Sequence, residues 1–150
     1  MTKWQPSDIP DLAGQRIVVT GANCGLGLET TRELARASAH VILACRSSER
    51  AEAAIKDITS GLPNASLEHV PLDLASLASV ASFVDKMNSD GTPVDRLINN
   101  AGVMACPERR VGPGWESQFG ICHMGHFALT QGLWSLLVKT PGARVVALSS

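Results

Sequence analysis

Gly21, Gly25 and Gly27 follow the β-branched run Ile17-Val18-Val19-Thr20 and precede a stretch of helical pattern. Glycines at such a junction serve three needs: a tight turn requires free φ, an anion must reach bare backbone, and the helix must pack close to the strand. The N–H groups that open the following helix, with its dipole behind them, favour negative charge. The spacing implies a phosphate cradle, with Asn23, Cys24 and Leu26 set between its glycines.

Other reactive side chains imply less. Cys24, Cys45, Cys106 and Cys122 show no Cys-x-x-Cys spacing and are expected to be free thiols, mostly behaving as small buried hydrophobes. His123 and His126 lie three apart in an expected helix and could approach one metal. No third ligand is spaced to join them, so packing or a pocket wall is the better expectation.

The elements that must carry the cradle follow from periodicity. Five β-prone runs, at 16–20, 40–45, 67–72, 95–98 and 144–149, alternate with helical stretches at 26–38, 48–60 and from Ser76 onward. Alternation of this kind predicts parallel strands joined by helices. Ile17-Val18-Val19, Val41-Ile42-Leu43 and Val145-Val146-Ala147-Leu148 lack polar alternates, as strands covered on both faces do. The expected fold is a doubly wound α/β sheet. Leu77, Val80, Ala81, Val84 and Met87 form a helical stripe with Ser76 as N-cap. The longest helix is expected over 115–139, burying Phe119, Phe127, Leu133, Trp134 and Leu137.

The 150 residues suit one domain, read as a tail at 1–14 and a nucleotide-binding unit at 15–150. A net charge of −1 without a basic cluster argues against nucleic acid or anionic lipid as partner. No apolar run approaches the roughly 20 residues of a membrane span. The first ten residues have no apolar signal-like core, so a cytoplasmic location is expected.

Thr20-Gly21-x-x-x-Gly25-x-Gly27, Leu72-Asp73-Leu74, Asn99-Asn100-Ala101-Gly102 and Arg144-Val145-Val146-Ala147-Leu148-Ser149-Ser150 occur in that order along the chain. This series resembles the short-chain dehydrogenase/reductase family. Ala44-Cys45-Arg46 and Gly125-His126-Phe127 look most like the branch of retinol dehydrogenases and protochlorophyllide reductases.

The resemblance implies a Rossmann-type sheet of order 3-2-1-4-5 and hydride transfer between a nicotinamide dinucleotide and a carbonyl or alcohol. It implies that Asp73 and Leu74 frame the adenine, Asp73 alternatively serving only as a turn residue. It implies that Asn99, Ala101 and Gly102 line the nicotinamide ribose. An NAD-preferring site carries an acid about 20 residues past the glycines. Arg46 stands in that place, so NADP(H) is expected over NAD(H), unless Arg46 is merely a solvated arginine.

The family's catalytic Tyr-x-x-x-Lys lies beyond the strand-five serine, which Ser150 matches as a carbonyl-orienting residue. The chain contains no tyrosine, and Cys122 stands where the family has a helix asparagine that helps order a proton-relay water. A thiol replaces that amide poorly. The expectation is a cofactor-binding half, inactive alone. The alternatives are a non-catalytic dinucleotide module, or one chain of a two-chain enzyme completed by a partner on the strand-five edge. A homo-oligomer through the long helix, and a lipophilic substrate for a completed enzyme, are further expectations.

Overall fold

A computed structural model describes residues 3–149. Ser150, and with it the expected carbonyl-orienting serine, lies outside the described residues. Five parallel strands form the central sheet: β1 (Arg16–Thr20), β2 (His40–Cys45), β3 (Ser66–Pro71), β4 (Arg96–Asn99) and β7 (Arg144–Ala147). Their spatial order is β3-β2-β1-β4-β7, every neighbouring pair parallel. The topology agrees with the expected 3-2-1-4-5 order, because two short strands, β5 (Arg110–Val111) and β6 (Trp115–Glu116), form a separate antiparallel hairpin.

Burial on both faces explains the unbroken apolar runs of β1 and β2, whereas the third run, in β7, expected to be covered, is instead exposed along its length, because β7 is the outer strand of the sheet. Ile17 and Val19 of β1, with Val41 and Leu43 of β2, join a core that includes Ala51 and Ala54 of α2 (Ser48–Gly61), and Leu28 and Leu34 of α1 (Gly25–Arg36) pack against it. Val18, Ile42 and Leu97 point the other way, into a core with Phe83 and Met87 of α3 (Leu77–Ser89) and Leu129 of α4 (His126–Gly132). Side chains alternating across each strand thus feed two separate layers. Leu12 closes one edge: it is buried, and its N–H donates to Ala37 O at 2.7 Å.

Two helical expectations need correction. On α3 the Ser76 hydroxyl does cap the helix, accepting from Ser79 N, but Leu77 and Ala81 are exposed. The buried stripe runs through Val80, Phe83 and Met87 instead. The helix expected over 115–139 is broken into the β6 strand, a π-helical turn (Phe119–Gly125), α4 and a short α5 (Trp134–Leu137). Gly112 and Gly114, at φ of +55° and +109°, turn the hairpin that consumes Trp115 and Glu116. The Glu116 carboxylate then accepts from the N–H groups of Gln118 and Phe119 at 2.9 and 3.0 Å, opening the helix after the hairpin. Those same bonds hold the Glu116 carboxyl below its ordinary range.

Leu133 and Leu137 are buried as expected, whereas Phe119, Phe127 and Trp134 are at least half exposed. Only one face of this segment meets the sheet, and the aromatic residues fall on the other. There the Phe119 ring stacks on His123 with centroids 5.4 Å apart. The thiols also differ from expectation: Cys45 is buried, Cys106 half-buried, and Cys24 and Cys122 are exposed. Among the described residues β7 pairs only with β4, and its Val145 and Val146 are 41% and 43% exposed. No helix among the described residues is long and apolar enough to cross a membrane.

Candidate functional site

A cleft of about 540 Å³ opens at the carboxyl ends of the strands. Its wall takes Gly21 from the end of β1, Arg46 from the end of β2, Asp73 and Leu74 from beyond β3, and Ala101 and Gly102 from beyond β4. The strand order reverses between β1 and β4, and open parallel sheets bind ligands at that kind of crevice. The volume lies within the roughly 300–1,000 Å³ usual for small-molecule sites.

The glycine segment is built for close approach. Gly21 turns the chain at φ +64°, and a Cβ there would sit 3.0 Å from Ala101 Cα. Gly27 packs α1 against the turn, since a Cβ on it would collide with the Gly21 carbonyl and lie 2.5 Å from Asn100 Nδ2. Gly25, at φ +54°, faces open space. Cys24 occupies the N-cap of α1 and gives no side-chain cap, so the first N–H groups of the helix keep their hydrogen-bonding capacity. Asn23, Cys24, Leu26 and Gly27 all line the cleft, with Gly25 between them in sequence.

The charged lining is lopsided. Arg46, Arg50 and Arg109 line the cleft against one carboxylate, Asp73. None of the three arginines forms a salt bridge to another residue's carboxylate among the described residues. Asp73 borders the cleft, and its Oδ1 accepts from Ala75 N at 3.0 Å in a local turn. Leu74 is buried beneath Gly125, where a Cβ would strike the Leu74 backbone. Cys45 also borders the cleft, with burial pushing its thiol up to about 11.

The loop after β4 is pinned from below. Thr20 is fully buried, and its Oγ1 lies 2.9 Å from each of Asn100 N, Ala101 N and His126 Nε2. Asn100 Nδ2 donates in turn to Thr20 O at 2.8 Å. Asn99, expected on the cleft wall, lies outside it: its side chain is buried and donates to Thr130 Oγ1 at 3.1 Å. Strand alternation turns Asn99 to the α4 side, and its neighbour Asn100 takes the cleft position.

Cys122 sits in the π-helical turn, outside the cleft lining but against its loop. Its Sγ accepts from Val103 N at 3.4 Å and approaches Val103 O at 3.5 Å. His123 and His126 do not converge, since His126 is buried toward Thr20 while His123 is exposed, and no metal-ligating cluster occurs among the described residues.

Arg50 and Arg109 were not singled out from sequence. Arg50 had a readable signal, lying four residues after Arg46 in the first turn of α2, where both side chains reach the same opening. Arg109 had none, because the hairpin that presents it depends on tertiary packing.

The short chain dehydrogenase profile matches residues 15–150. Human retinol dehydrogenase 13 is 46% identical over 139 residues, covering 93% of this chain and 42% of that protein. An uncharacterized protein from Mycobacterium paratuberculosis superposes with a TM-score of 0.81 at 44% identity, over 90% of this chain and 47% of that one. A short chain dehydrogenase from Escherichia coli CFT073, solved with NADPH, gives 0.77 at 26% identity, over 90% and 58% of the two chains. This chain therefore spans about half the length of the relatives it matches. With the sheet order, the glycine turn and a profile match running from β1 to the last residue, the chain belongs to the short chain dehydrogenase family, in its retinol dehydrogenase branch.

Proposed function

We propose that this chain is the cofactor-holding part of an NADP(H)-dependent oxidoreductase, with residues 15–150 as the binding domain and 1–14 as an N-terminal tail. The residues present suit a nicotinamide dinucleotide. The uncapped start of α1 offers N–H donors to a pyrophosphate, and the open space at Gly25 leaves room for it. Asp73 and Leu74 border the place for an adenine, and Ala101 and Gly102 the place for the nicotinamide ribose. When bound, the dinucleotide supplies or accepts a hydride.

The observation that carries the NADP(H) preference is Arg46 lining the cleft at the end of β2, where an NAD site has its carboxylate. A guanidinium there favours a 2′-phosphate, and the NADPH complex of the Escherichia coli relative supports the same reading. The test is calorimetric titration with NADPH and NADH. The native chain is expected to bind NADPH more tightly, and Arg46→Asp to reverse the order. Equal affinity for both cofactors in the native chain would overturn the preference.

Chemistry on a substrate needs a proton donor of suitable pKa, and the chain has no tyrosine. Cys122 is engaged with Val103 and does not reach the cleft lining. We therefore infer that the chain by itself binds cofactor without turnover. The retinol dehydrogenase relatives support a lipophilic alcohol or carbonyl as the substrate of a completed enzyme. Four free thiols suit a reducing compartment such as the cytoplasm.

A second reading rests on the open side of β7. A further polypeptide pairing there could supply the missing groups, and copurification of such a chain with restored turnover would favour it.

A further inference from the structure

We propose that His126 is a positioning residue: through the Thr20 hydroxyl it fixes the backbone N–H groups of Asn100 and Ala101, and so sets the cleft wall that they carry. The consequence for cofactor affinity rests on the dinucleotide reading above; the positioning itself does not.

A threonine hydroxyl has one proton and two lone pairs. The N–H groups of Asn100 and Ala101, both 2.9 Å from Thr20 Oγ1, can only donate, so they take the lone pairs. The hydroxyl proton must then find another acceptor. His126 Nε2 at 2.9 Å is better placed than Ile98 O at 3.4 Å. The other ring nitrogen decides whether Nε2 can accept. His126 Nδ1 lies 3.0 Å from Cys122 O, a carbonyl that offers no proton, so Nδ1 bears the hydrogen and Nε2 is bare. Each bond in the chain from Cys122 O to the loop thus fixes the direction of the next.

Burial gives this arrangement its consequence. Thr20 is 0% and His126 6% exposed, so water cannot readily replace a lost partner. Without the ring acceptor the Thr20 hydroxyl turns toward another one, and its lone pairs leave the loop N–H groups. The loop has little room to shift in compensation, because Ala101 Cα already sits 3.0 Å from where a Gly21 Cβ would be. His126 does not line the cleft, so it acts on the wall through Thr20.

The test uses the full, nitrogen-15-labelled chain with His126→Gln and His126→Leu. Glutamine keeps an acceptor for the Thr20 hydroxyl and leucine does not. Ring correlations in the native chain are expected to show the neutral form protonated on Nδ1. Amide exchange at Asn100 and Ala101 is expected to quicken about tenfold in His126→Leu, the effect of one buried hydrogen bond, and to stay within about threefold of native in His126→Gln.

NADPH affinity is expected to fall with exchange protection in His126→Leu. Adenosine 2′,5′-bisphosphate, which occupies only the adenine end, should bind that variant as it binds the native chain. An Nε2-protonated ring, unchanged loop exchange in His126→Leu, or exchange quickened evenly over the whole sheet would each overturn the proposal. If His126→Leu does not fold, the native ring and the His126→Gln exchange still decide. If the native chain binds neither NADPH nor the bisphosphate, the dinucleotide reading fails while the ring and exchange results still judge His126.

Discussion

Gly27 and Asn100 pack so closely that no methyl group fits between them: a Cβ on Gly27 would lie 2.5 Å from Asn100 Nδ2, the atom that donates to Thr20 O at 2.8 Å. The first turn of α1, the end of β1 and the loop after β4 are thereby fitted to one another. Gly27→Ala is expected to cost about 1–3 kcal/mol, as overpacking of a filled interior does. It should also abolish NADPH binding, because α1 must back away from the glycine turn. Gly25→Ala meets open space and only the strain of its positive φ, so its loss should be the smaller. Urea denaturation and calorimetric titration of both variants check the ranking; a Gly27→Ala chain as stable as native would contradict the packing argument.

Arg50 lines the cleft one turn into α2, behind Arg46, and both are exposed. An exposed guanidinium facing a 2′-phosphate acts mainly through screened charge. Arg50→Gln is expected to weaken NADPH binding about two- to fivefold, roughly the worth of an exposed ion pair, and to leave NADH unchanged. Raising the salt concentration should narrow the gap between the two cofactors in the native chain, since the screening length shrinks. A gap that is constant from low to high salt would speak against arginine recognition of the phosphate.

The regular parts of this fold were legible in the sequence because local pattern and tertiary context agree there. Ile17-Val18-Val19 reads as a strand covered on both faces, and is one; Ser76 reads as a helix cap, and accepts from Ser79 N. Legibility fails where context overrides pattern. The 115–139 segment carries helical periodicity, yet Gly112 and Gly114 fold Trp115 and Glu116 into a hairpin whose value lies in packing no local signal records. At the site, the Asn99-Asn100 pair was readable as a motif, but which of the two faces the cleft depends on strand phase. The link from Thr20 to His126 spans 106 positions and leaves no mark in the spacing of either residue.

His126 also predicts a pH dependence. Burial pushes its pKa below the ordinary histidine value, with the bond to Cys122 O opposing in part, and no carboxylate or cation contributes. The groups facing the ring are neutral: Thr20 from β1, and Cys122 from its own helical segment. Since the folded chain favours the neutral ring, the unfolded chain takes up the proton first as pH falls. The stability held by the neutral ring is complete above about pH 6.5 and declines below it. His126→Gln should remove this contribution, so its urea midpoint should change less than that of the native chain between pH 7.5 and pH 5.5. Parallel curves for the two proteins would mean that the ring is not the group responsible.

The outer strand sets the behaviour of the chain in solution. Among the described residues one edge of β7 is unpaired, and Val145, Val146 and Leu148 along it are 41%, 43% and 45% exposed. Apolar edges of this kind pair with other chains unless charge, proline or a bulge blocks them, and β7 has no such guard beyond Arg144 at its start. The native chain is therefore expected to self-associate as its concentration rises. Val146→Lys puts a charge in the middle of the edge without touching the cleft, whose lining near this strand comes from Leu148. Light scattering should show the variant remaining monomeric at concentrations where the native chain associates, with NADPH affinity unchanged. A native chain that stays monomeric and melts in one sharp transition at those concentrations would show that the exposed strand carries no such liability.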